Sequence, residues 1–327
     1  MPSWLVSAPS SMDEPFHSFG AFLKKKFPDS KVLKIPLNAG FSCPNRDGTL
    51  SSSGCIFCDR FASGPVAMVD WPVEKQIAAH IRRYPGKKFI AYFQSHCNTY
   101  GSVPELRRKY EIIFAYNEIV GLFIGTRPDA VPEPILSLLE EMNRRIYLSV
   151  ELGLQSVHAQ SLALLNRNHT YEQFVRTFEA LRARKIVVVV HLIIGIPGET
   201  LEHMRATIAA MNMLKPAGVK FHVLHVLRDT ELQAWHSRTP LPLLSLEEYT
   251  DIISDLLERL DPAIVVHRLT ADREKELFVA PLWALNKAVV LRAIREKMKF
   301  RGTFQGRLHG GDCPVVRRHV DKKNQMM

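Results

Sequence analysis

Residues 186–200 read IVVVVHLIIGIPGET, and this stretch decides the fold class. The first nine residues are almost all β-branched or aliphatic, which is typical of a strand that is buried on both faces of a parallel sheet. A turn at 195–199 ends this run, and the amphipathic pattern of Leu201–Leu214 indicates a helix. A buried strand, a short turn and an amphipathic helix together predict one βα unit.

The same alternation of strands and helices extends in both directions from this unit. The strand candidates are residues 32–37, 89–93, 120–124, 147–152, 186–194, 220–226 and 263–267. The helix candidates are residues 73–84, 104–116, 132–144, 171–184, 201–214 and 246–260. Six or seven such units predict an α/β protein with a parallel (β/α) barrel, complete or partial, whose chemistry lies at the C-terminal ends of the strands.

The remaining segments suggest three parts along the chain. We expect an N-terminal extension over 1–30, the barrel over 31–270, and a small C-terminal cap with a basic tail over 271–327. Residues 281–298 have a helical pattern, whereas the residues beyond Gly302 are rich in glycine and basic side chains. The cap is therefore expected to be helical, and its tail loop-like or disordered.

The charge of the chain is unevenly distributed. Its 327 residues contain 43 Lys and Arg against 33 Asp and Glu, a formal net charge of +10, and the basic excess is concentrated in residues 292–327. Such a tail either follows the phosphate backbone of a nucleic acid or is a solvated terminus. No apolar run approaches the roughly 18 residues of a membrane span, and the start lacks a secretory pattern. We therefore expect a cytoplasmic protein with no membrane partner.

Three of the five cysteines, Cys43, Cys55 and Cys58, lie in one loop directly after the first strand candidate. A loop in that position opens onto the active-site face, and its Gly, Ser, Asn and Asp residues allow the thiolates to converge. Three thiolates can hold three irons of a cubane cluster and leave the fourth iron for a small molecule. The alternative is a structural zinc site with His96 or Cys97 as fourth ligand, although Cys97 also fits a buried free thiol.

Nine blocks in order along the chain resemble one known family. They are GFSCPNRDGT at 40–49, GCIFC at 54–58, YFQ and NTYG within 92–101, GTRPD at 125–129, VELGLQS at 150–156, NRNHTYE at 166–172, HLIIGIPGE at 191–199, KFHVLHV at 220–226 and HRLTAD at 267–272. On these blocks the chain resembles the radical S-adenosylmethionine (SAM) superfamily. It is most similar to the YhcC-type members, which are related to the radical SAM part of the elongator catalytic subunit.

Two positions depart from the pattern of many radical SAM proteins. Eleven residues separate Cys43 from Cys55, as in the YhcC-type and elongator-like groups, whereas many members have three residues there. Cys97 stands where Thr is more usual. With nine blocks in order, the resemblance outweighs the zinc alternative.

The resemblance implies a [4Fe-4S] cluster on Cys43, Cys55 and Cys58 that cleaves bound SAM reductively to a 5′-deoxyadenosyl radical. It implies a one-electron reductant, flavodoxin- or ferredoxin-like, as a partner. The SAM-binding residues it implies are Gln94, Asn98, Thr99, Glu151, Gln155, Arg167, Gly195, Pro197 and Gly198.

Several of these SAM assignments have an alternative in the residues themselves. An arginine suits the methionyl carboxylate because its planar guanidinium donates two parallel bonds, which favours Arg167. Residues 94–99 also fit a polar loop with its own hydrogen bonds, and Glu151 fits a structural carboxylate inside the barrel. Residues 195–199 also fit a tight turn before a helix.

Six more side chains near strand ends could face the substrate: Arg127, His191, Lys220, His222, His225 and His267. Each also fits an interior residue that braces the barrel. The cationic side chains of Arg127 and Lys220 could bind an anionic substrate. The expected function is a radical SAM enzyme with RNA, particularly tRNA, as the leading partner class. A small metabolite or tetrapyrrole is the alternative substrate, and a non-catalytic protein stabilised by its metal or cluster is the alternative class.

Overall fold

The computed structural model describes residues 14–62, 68, 70–271 and 273–310. Its strands are β1 Val32–Leu37, β2 Lys88–Phe93, β3 Ile119–Thr126, β4 Tyr147–Gln155, β5 Val187–Ile194, β6 Gly218–Val223, β7 Val226–Leu227, β8 Val265–Leu269 and β9 Phe278–Ala280. Seven of them form a parallel sheet in the order β1-β2-β3-β4-β5-β6-β8. The short β7 and β9 pair antiparallel in a separate ribbon.

The helices follow the strands along the chain. They are α1 Phe19–Lys26, α2 Val73–Arg83, α3 Val103–Glu111, α4 Glu133–Arg145, α5 Ala159–Leu164, α6 Tyr171–Ala183, α7 Leu201–Leu214, α8 Glu231–Arg238, α9 Leu246–Arg259 and α10 Lys287–Phe300. Capping boxes at Thr170, Thr200 and Ser245 satisfy the first backbone N–H groups of α6, α7 and α9. No helix among the described residues is long and apolar enough to cross a membrane.

The sheet is a partial barrel, which confirms the α/β prediction. Each strand pairs in parallel with the next, with register shifts between β2 and β3, β4 and β5, and β6 and β8, and β1 and β8 form the two edges. Near the gap, Ser18 makes a single parallel bridge to Val266, and Phe19 of α1 stacks on His267 with ring centroids 4.1 Å apart. The N-terminal helix therefore packs against the open side of the barrel and buries its apolar residues there.

Most predicted elements are confirmed to within a few residues, with two differences. The predicted strand 220–226 ends at Val223, because the chain leaves the sheet and Val226 pairs with Ala280 instead. Helices α1, α5 and α8 were not predicted. They have only 8, 6 and 8 residues, too few for a helical period to stand out from the background.

The described C-terminal residues pack on the barrel. Helix α10 lies against α9, and Gln305 donates to the carbonyl oxygens of Asp261 and Ile264. Residues 303–310 are loop-like, as expected, but the side chains of Thr303 and Gln305 are buried. The basic tail beyond residue 310 lies outside the described residues, and the division at 30 and 270 stays a prediction.

Candidate functional site

A concavity lies at the C-terminal ends of the parallel strands, where the loop after β1 meets the ends of β3, β4 and β6. The space inside it, counted together with its open mouth, measures about 970 Å³. Cys43, Cys55 and Cys58 all line it. Of the other predicted residues, the lining includes Gln94, Arg127, Glu151, Gln155, Arg167, His191, His222 and His225.

The cysteine loop, residues 43–58, is held by backbone turns and by the segment after β4. The N–H of Arg46 donates to the carbonyl of Cys43 at 2.8 Å, and the N–H of Cys58 donates to the carbonyl of Cys55 at 3.0 Å. The side chain of Asn45 donates to the carbonyl oxygen of Asn166 at 2.8 Å. These bonds curl the loop so that its three thiols face one concavity.

Electrostatics at the thiols indicate that they lie close together. Burial, followed by the charge of Cys55, raises the pKa of Cys58 to about 11. Burial also raises the pKa of Cys43. Arg167 donates from Nη1 to Cys55 Sγ at 3.1 Å.

This donor set fits an iron–sulfur cluster better than a single zinc ion. Buried neighbouring thiols resist ionisation, and a bound cationic metal reverses that by stabilising each thiolate. Among the described residues, no group of three or more His, Cys, Asp or Glu side chains is placed to hold one metal ion. A cubane cluster instead takes each thiolate on a different iron. Of the two residues considered as a fourth zinc ligand, Cys97 is fully buried with its Sγ 3.2 Å from Thr126 Oγ1, and His96 lines the concavity.

Gln155 and Arg167 meet at the end of β4. Gln155 has a left-handed backbone with φ of 79°, and the pairing with β5 shifts register there. Arg167 donates from Nη2 to the carbonyl of Gly153 at 2.8 Å. A Cβ at Gly153 would lie 3.0 Å from Gln155 Nε2 and 3.1 Å from Arg167 Nη2. Gly153 therefore lets both side chains approach the strand closely, a role that the sequence did not reveal because it requires knowing which side chains lie over it.

The structure separates the three polar residues predicted after β2. Gln94 lines the concavity. Asn98 is fully buried and donates to the carbonyl of Gly125 at 2.8 Å, and Thr99 donates to the carbonyl of Ala130 at 2.6 Å. The side chains of Asn98 and Thr99 thus hold the residues around the end of β3. Such bonds are those of the alternative considered above, a polar loop with its own hydrogen bonds.

The turn after β5 does not line the concavity. Gly195 and Gly198 have φ of 86° and 88°, a left-handed conformation that favours glycine. Gly195 faces Leu244, while Pro197 and Gly198 line a separate surface hollow. The predicted contact of this turn with adenine stays a prediction.

Glu151 lies inside the barrel in a cluster of charges. Its Oε1 is 3.2 Å from Lys34 Nζ, and its Oε2 accepts from His191 Nε2 at 2.9 Å and from Lys220 Nζ. Burial acts to raise the pKa of Glu151, but Lys220 and then Lys34 hold it well below its usual range. Both carboxylate oxygens are thus engaged by protein groups, which is the structural role considered for Glu151. We call these four residues the interior ion cluster.

The predicted histidines fall into two groups. His222 lines the concavity with its ring 5.3 Å from that of His191, and His225 stacks on Phe278 at 5.2 Å. His267 instead packs beside Gly218, the first residue of β6, and stacks on α1. Our expectation that His267 could face the substrate is therefore not met, because it lies toward the opposite end of the strands.

Arg127 lies beside the cysteines with part of its guanidinium unused. Its Nη2 donates to Asp129 Oδ2 at 3.0 Å and to the carbonyl of Arg167 at 2.7 Å. Within the described part of the chain, its Nη1 is buried and has no hydrogen-bond partner, and the same holds for His222 Nε2. Both atoms belong to residues that line the concavity.

Four residues of the site were missed in the sequence. Lys34 belongs to the interior ion cluster, and Arg46 donates to the carbonyl oxygen of Cys58. Asp59 pairs with Arg273 beside the cysteine loop. An isolated charged residue has no characteristic spacing in the sequence that would mark it as part of a site. Two of these contacts, Lys34 with Glu151 and Asp59 with Arg273, join positions more than a hundred residues apart.

Two family models match the chain. One, described as the Radical SAM superfamily, covers residues 43–211, and one described as the Radical_SAM C-terminal domain covers residues 216–299. The protein YtqA of Bacillus subtilis is 37% identical over 304 residues, which are 91% of this chain and 94% of YtqA. The protein YhcC of Escherichia coli K12 is 35% identical over 272 residues, 82% of this chain and 87% of YhcC. The resemblance to YhcC-type radical SAM proteins is thereby confirmed.

Two more distant similarities cover only part of the matched protein. A tRNA uridine(34) acetyltransferase of Methanocaldococcus jannaschii is 32% identical over 209 residues, 62% of this chain and 36% of that enzyme. The solved structure of Methanocaldococcus infernus Elp3 with an N-terminal deletion superposes with a TM-score of 0.64 at 17% identity. This superposition covers 84% of this chain and 64% of the Elp3 chain, and it shows a shared fold.

Proposed function

We propose that this chain, which belongs to the radical SAM superfamily, cleaves SAM reductively at its cysteine loop and uses the resulting radical on an RNA substrate. Superfamily members are enzymes that use a [4Fe-4S] cluster and SAM. The observation that carries the proposal is the convergence of Cys43, Cys55 and Cys58 on one concavity that Gln155 and Arg167 also line.

The residues of this chain would bind the cofactors as follows. The three cysteines would hold the cluster, and Arg167 next to Cys55 would offset the negative charge of the thiolates. When bound, the cluster supplies one electron from an external reductant to SAM, which gives methionine and a 5′-deoxyadenosyl radical that takes a hydrogen atom from the substrate. The barrel around it would exclude water and hold the substrate next to the radical.

SAM would lie between the cysteine loop and the end of β4. Gln155 lines the same concavity and can bond polar groups of SAM, while the guanidinium of Arg167 suits a carboxylate. The free Nη1 of Arg127 is a second candidate donor for an anionic group of the ligand. Gln94 completes this set, whereas Asn98 and Thr99 act by fixing the loop in which Gln94 lies.

An RNA substrate is supported by one relative and by charge. The tRNA uridine(34) acetyltransferase of M. jannaschii matches this chain over 209 residues, and the chain carries a formal net charge of +10. Lys and Arg side chains bind a phosphate backbone by releasing its condensed counterions. His191, His222 and His225 would then face the nucleotide that enters the concavity.

The reaction class can be tested on anaerobically reconstituted protein. We expect about four irons per chain, an electron paramagnetic resonance (EPR) spectrum that shifts when SAM is added, and release of 5′-deoxyadenosine after reduction. Zinc in place of iron, or a cluster whose EPR spectrum does not change when SAM is added, would contradict the proposal.

The substrate class requires a separate experiment. Titration of the protein with unmodified tRNA at 50 and 200 mM salt should show binding that weakens steeply with salt. Release of 5′-deoxyadenosine should accelerate when this tRNA is present. Acceleration by a small metabolite in the absence of RNA, with no tRNA binding at either salt concentration, would favour the metabolite alternative.

A further inference from the structure

The residue that follows the cysteine loop contacts the C-terminal part of the chain through a buried ion pair. Asp59, the residue after Cys58, pairs through Oδ2 with Arg273 Nη2. The side chains of both residues are only 2% exposed. Their positions differ by 214 in the sequence, and Arg273 belongs to the segment that leaves β8 and leads to β9.

The three cysteines are held by different parts of the molecule. Cys55 is contacted by Arg167, which follows β4, and the carbonyl of Cys43 accepts backbone bonds within its own loop. Cys58 is fixed on its carbonyl by Arg46, and on its C-terminal side by Asp59. Arg273 is therefore the residue through which the C-terminal segment acts on Cys58.

Arg273 also faces the site itself. It lines the same concavity as the three cysteines. Burial lowers the pKa of Arg273, and the negative charges of Glu274 and then Cys58 act against that shift, so the guanidinium lies within electrostatic range of the Cys58 sulfur. A second acceptor, Glu274 Oε2, lies 3.4 Å from Arg273 Nη1, and Asp59 Oδ1 also accepts the N–H of Phe61 at 2.9 Å. Both partners of the ion pair are thus fixed by further bonds.

We propose that Arg273 is a positioning residue that holds Cys58 in place through Asp59 and so couples the C-terminal segment to the cluster. The inference rests on the proposed binding of the cluster by Cys43, Cys55 and Cys58. Partners of metal ligands in the outer shell orient the ligands and tune the metal site, and their loss commonly weakens metal binding. In this chain the outer-shell partner of the third cysteine comes from the C-terminal segment.

The matched variants are Arg273→Gln and Asp59→Asn, each of which removes one charge and keeps a hydrogen-bonding side chain. The control is Arg205→Gln, because Arg205 makes a two-bond pair with Asp255 between α7 and α9, away from the cysteines. Arg273→Lys keeps the charge, and the double variant Asp59→Arg with Arg273→Asp exchanges the partners. Iron removal by a chelator and the EPR spectrum of the reduced cluster with and without SAM are measured for each.

We expect Arg273→Gln and Asp59→Asn to hold iron about 10- to 100-fold less tightly than the parent, and to change the EPR spectrum in the same way. Arg273→Lys should recover part of the loss, and the control should behave as the parent in both measurements. Folded variants with parental iron retention and spectra would overturn the inference. A parent protein that takes up no cluster would instead contradict the proposed function. If both single variants fail to fold, the exchanged double variant decides: parental iron retention supports the pairing, and weakened retention opposes it.

Discussion

The interior ion cluster, whose Glu151 and His191 also line the concavity, and the other charged residues of that concavity are buried, but they differ in how completely their polar groups are bonded. In the interior ion cluster, Glu151 is bonded by Lys34, Lys220 and His191, so its charge is matched inside the protein. At the concavity, Arg127 Nη1 and His222 Nε2 have no partner among the described residues. Because an unpaired buried polar group costs free energy, such groups persist where a ligand satisfies them. The comparison therefore distinguishes a bracing site from a binding site.

The largest expected effect separates the cysteine loop from the other buried thiol. Replacing Cys43, Cys55 or Cys58 with Ala should abolish the cluster and 5′-deoxyadenosine formation, because each would lose an iron ligand. Cys97→Ala is the control, since Cys97 is fully buried and bonded to Thr126. Iron analysis and chromatography of 5′-deoxyadenosine measure both outcomes. Loss of the cluster in the Cys97 variant would mean that the fourth cysteine is also a ligand.

The next effect tests the interior ion cluster as a brace. Glu151→Gln leaves Lys34 and Lys220 without their carboxylate, which should cost about 3–5 kcal/mol of unfolding free energy. The control is Glu141→Gln, which breaks an ion pair with Arg107 that is more than a third exposed on both sides and should cost far less, because solvent screens exposed charges. Urea unfolding gives both values. Similar costs for the two variants would contradict the distinction.

Acid should weaken the same cluster through His191. Burial, followed by the charge of Lys220, lowers the pKa of His191 to about 4 from 6.5. Between these values the unfolded chain binds a proton that the folded protein does not, so stability falls as the pH drops from 6.5 towards 4. The slope for one proton is about 1.4 kcal/mol per pH unit.

This slope is measured by urea unfolding at several pH values between 7 and 5. His191→Gln should flatten it by at most one proton, since His222 and His225 also have lowered pKa values and contribute in the same direction. A variant with the parental slope would show that His191 is already protonated in the folded protein.

The smallest effect sharpens the binding side of the comparison. Gly153→Ala places a methyl group 3.0 Å from Gln155 Nε2 and 3.1 Å from Arg167 Nη2, so both flexible side-chain ends must shift by a few tenths of an ångström. We expect SAM affinity to fall by roughly tenfold, equivalent to about 1.4 kcal/mol. Gly125→Ala is the control, because its new methyl group makes only ordinary contacts from 3.4 Å. Titration of SAM against the EPR spectrum compares the two variants, and equal affinities would remove Gly153 from the site.

The sequence was sufficient for most of the elements and for the family, and it proposed the three cysteines as cluster ligands. Long β-branched runs such as 187–194 predict buried strands because their side chains suit both faces of a parallel sheet. The spacing of the cysteines, read with the blocks around them, predicted the cluster-binding loop and the family. Alternation of strands with helices also predicted a parallel barrel, although it did not distinguish a complete barrel from the partial one that formed.

Only the tertiary structure decided what the polar residues inside the barrel do. Glu151 and Gln155 lie four residues apart on one strand and both line the concavity, yet Glu151 is bonded by two lysines while Gln155 lies at the strand end near Arg167. The side chains of Asn98 and Thr99 donate to backbone carbonyls near the end of β3, and their contact with SAM stays a prediction. Asp59 pairs with Arg273, which lies 214 positions away in the sequence. Local sequence fixes strands and helices through periodicity, but the partner of a buried charge depends on which distant segments the fold brings within hydrogen-bonding distance.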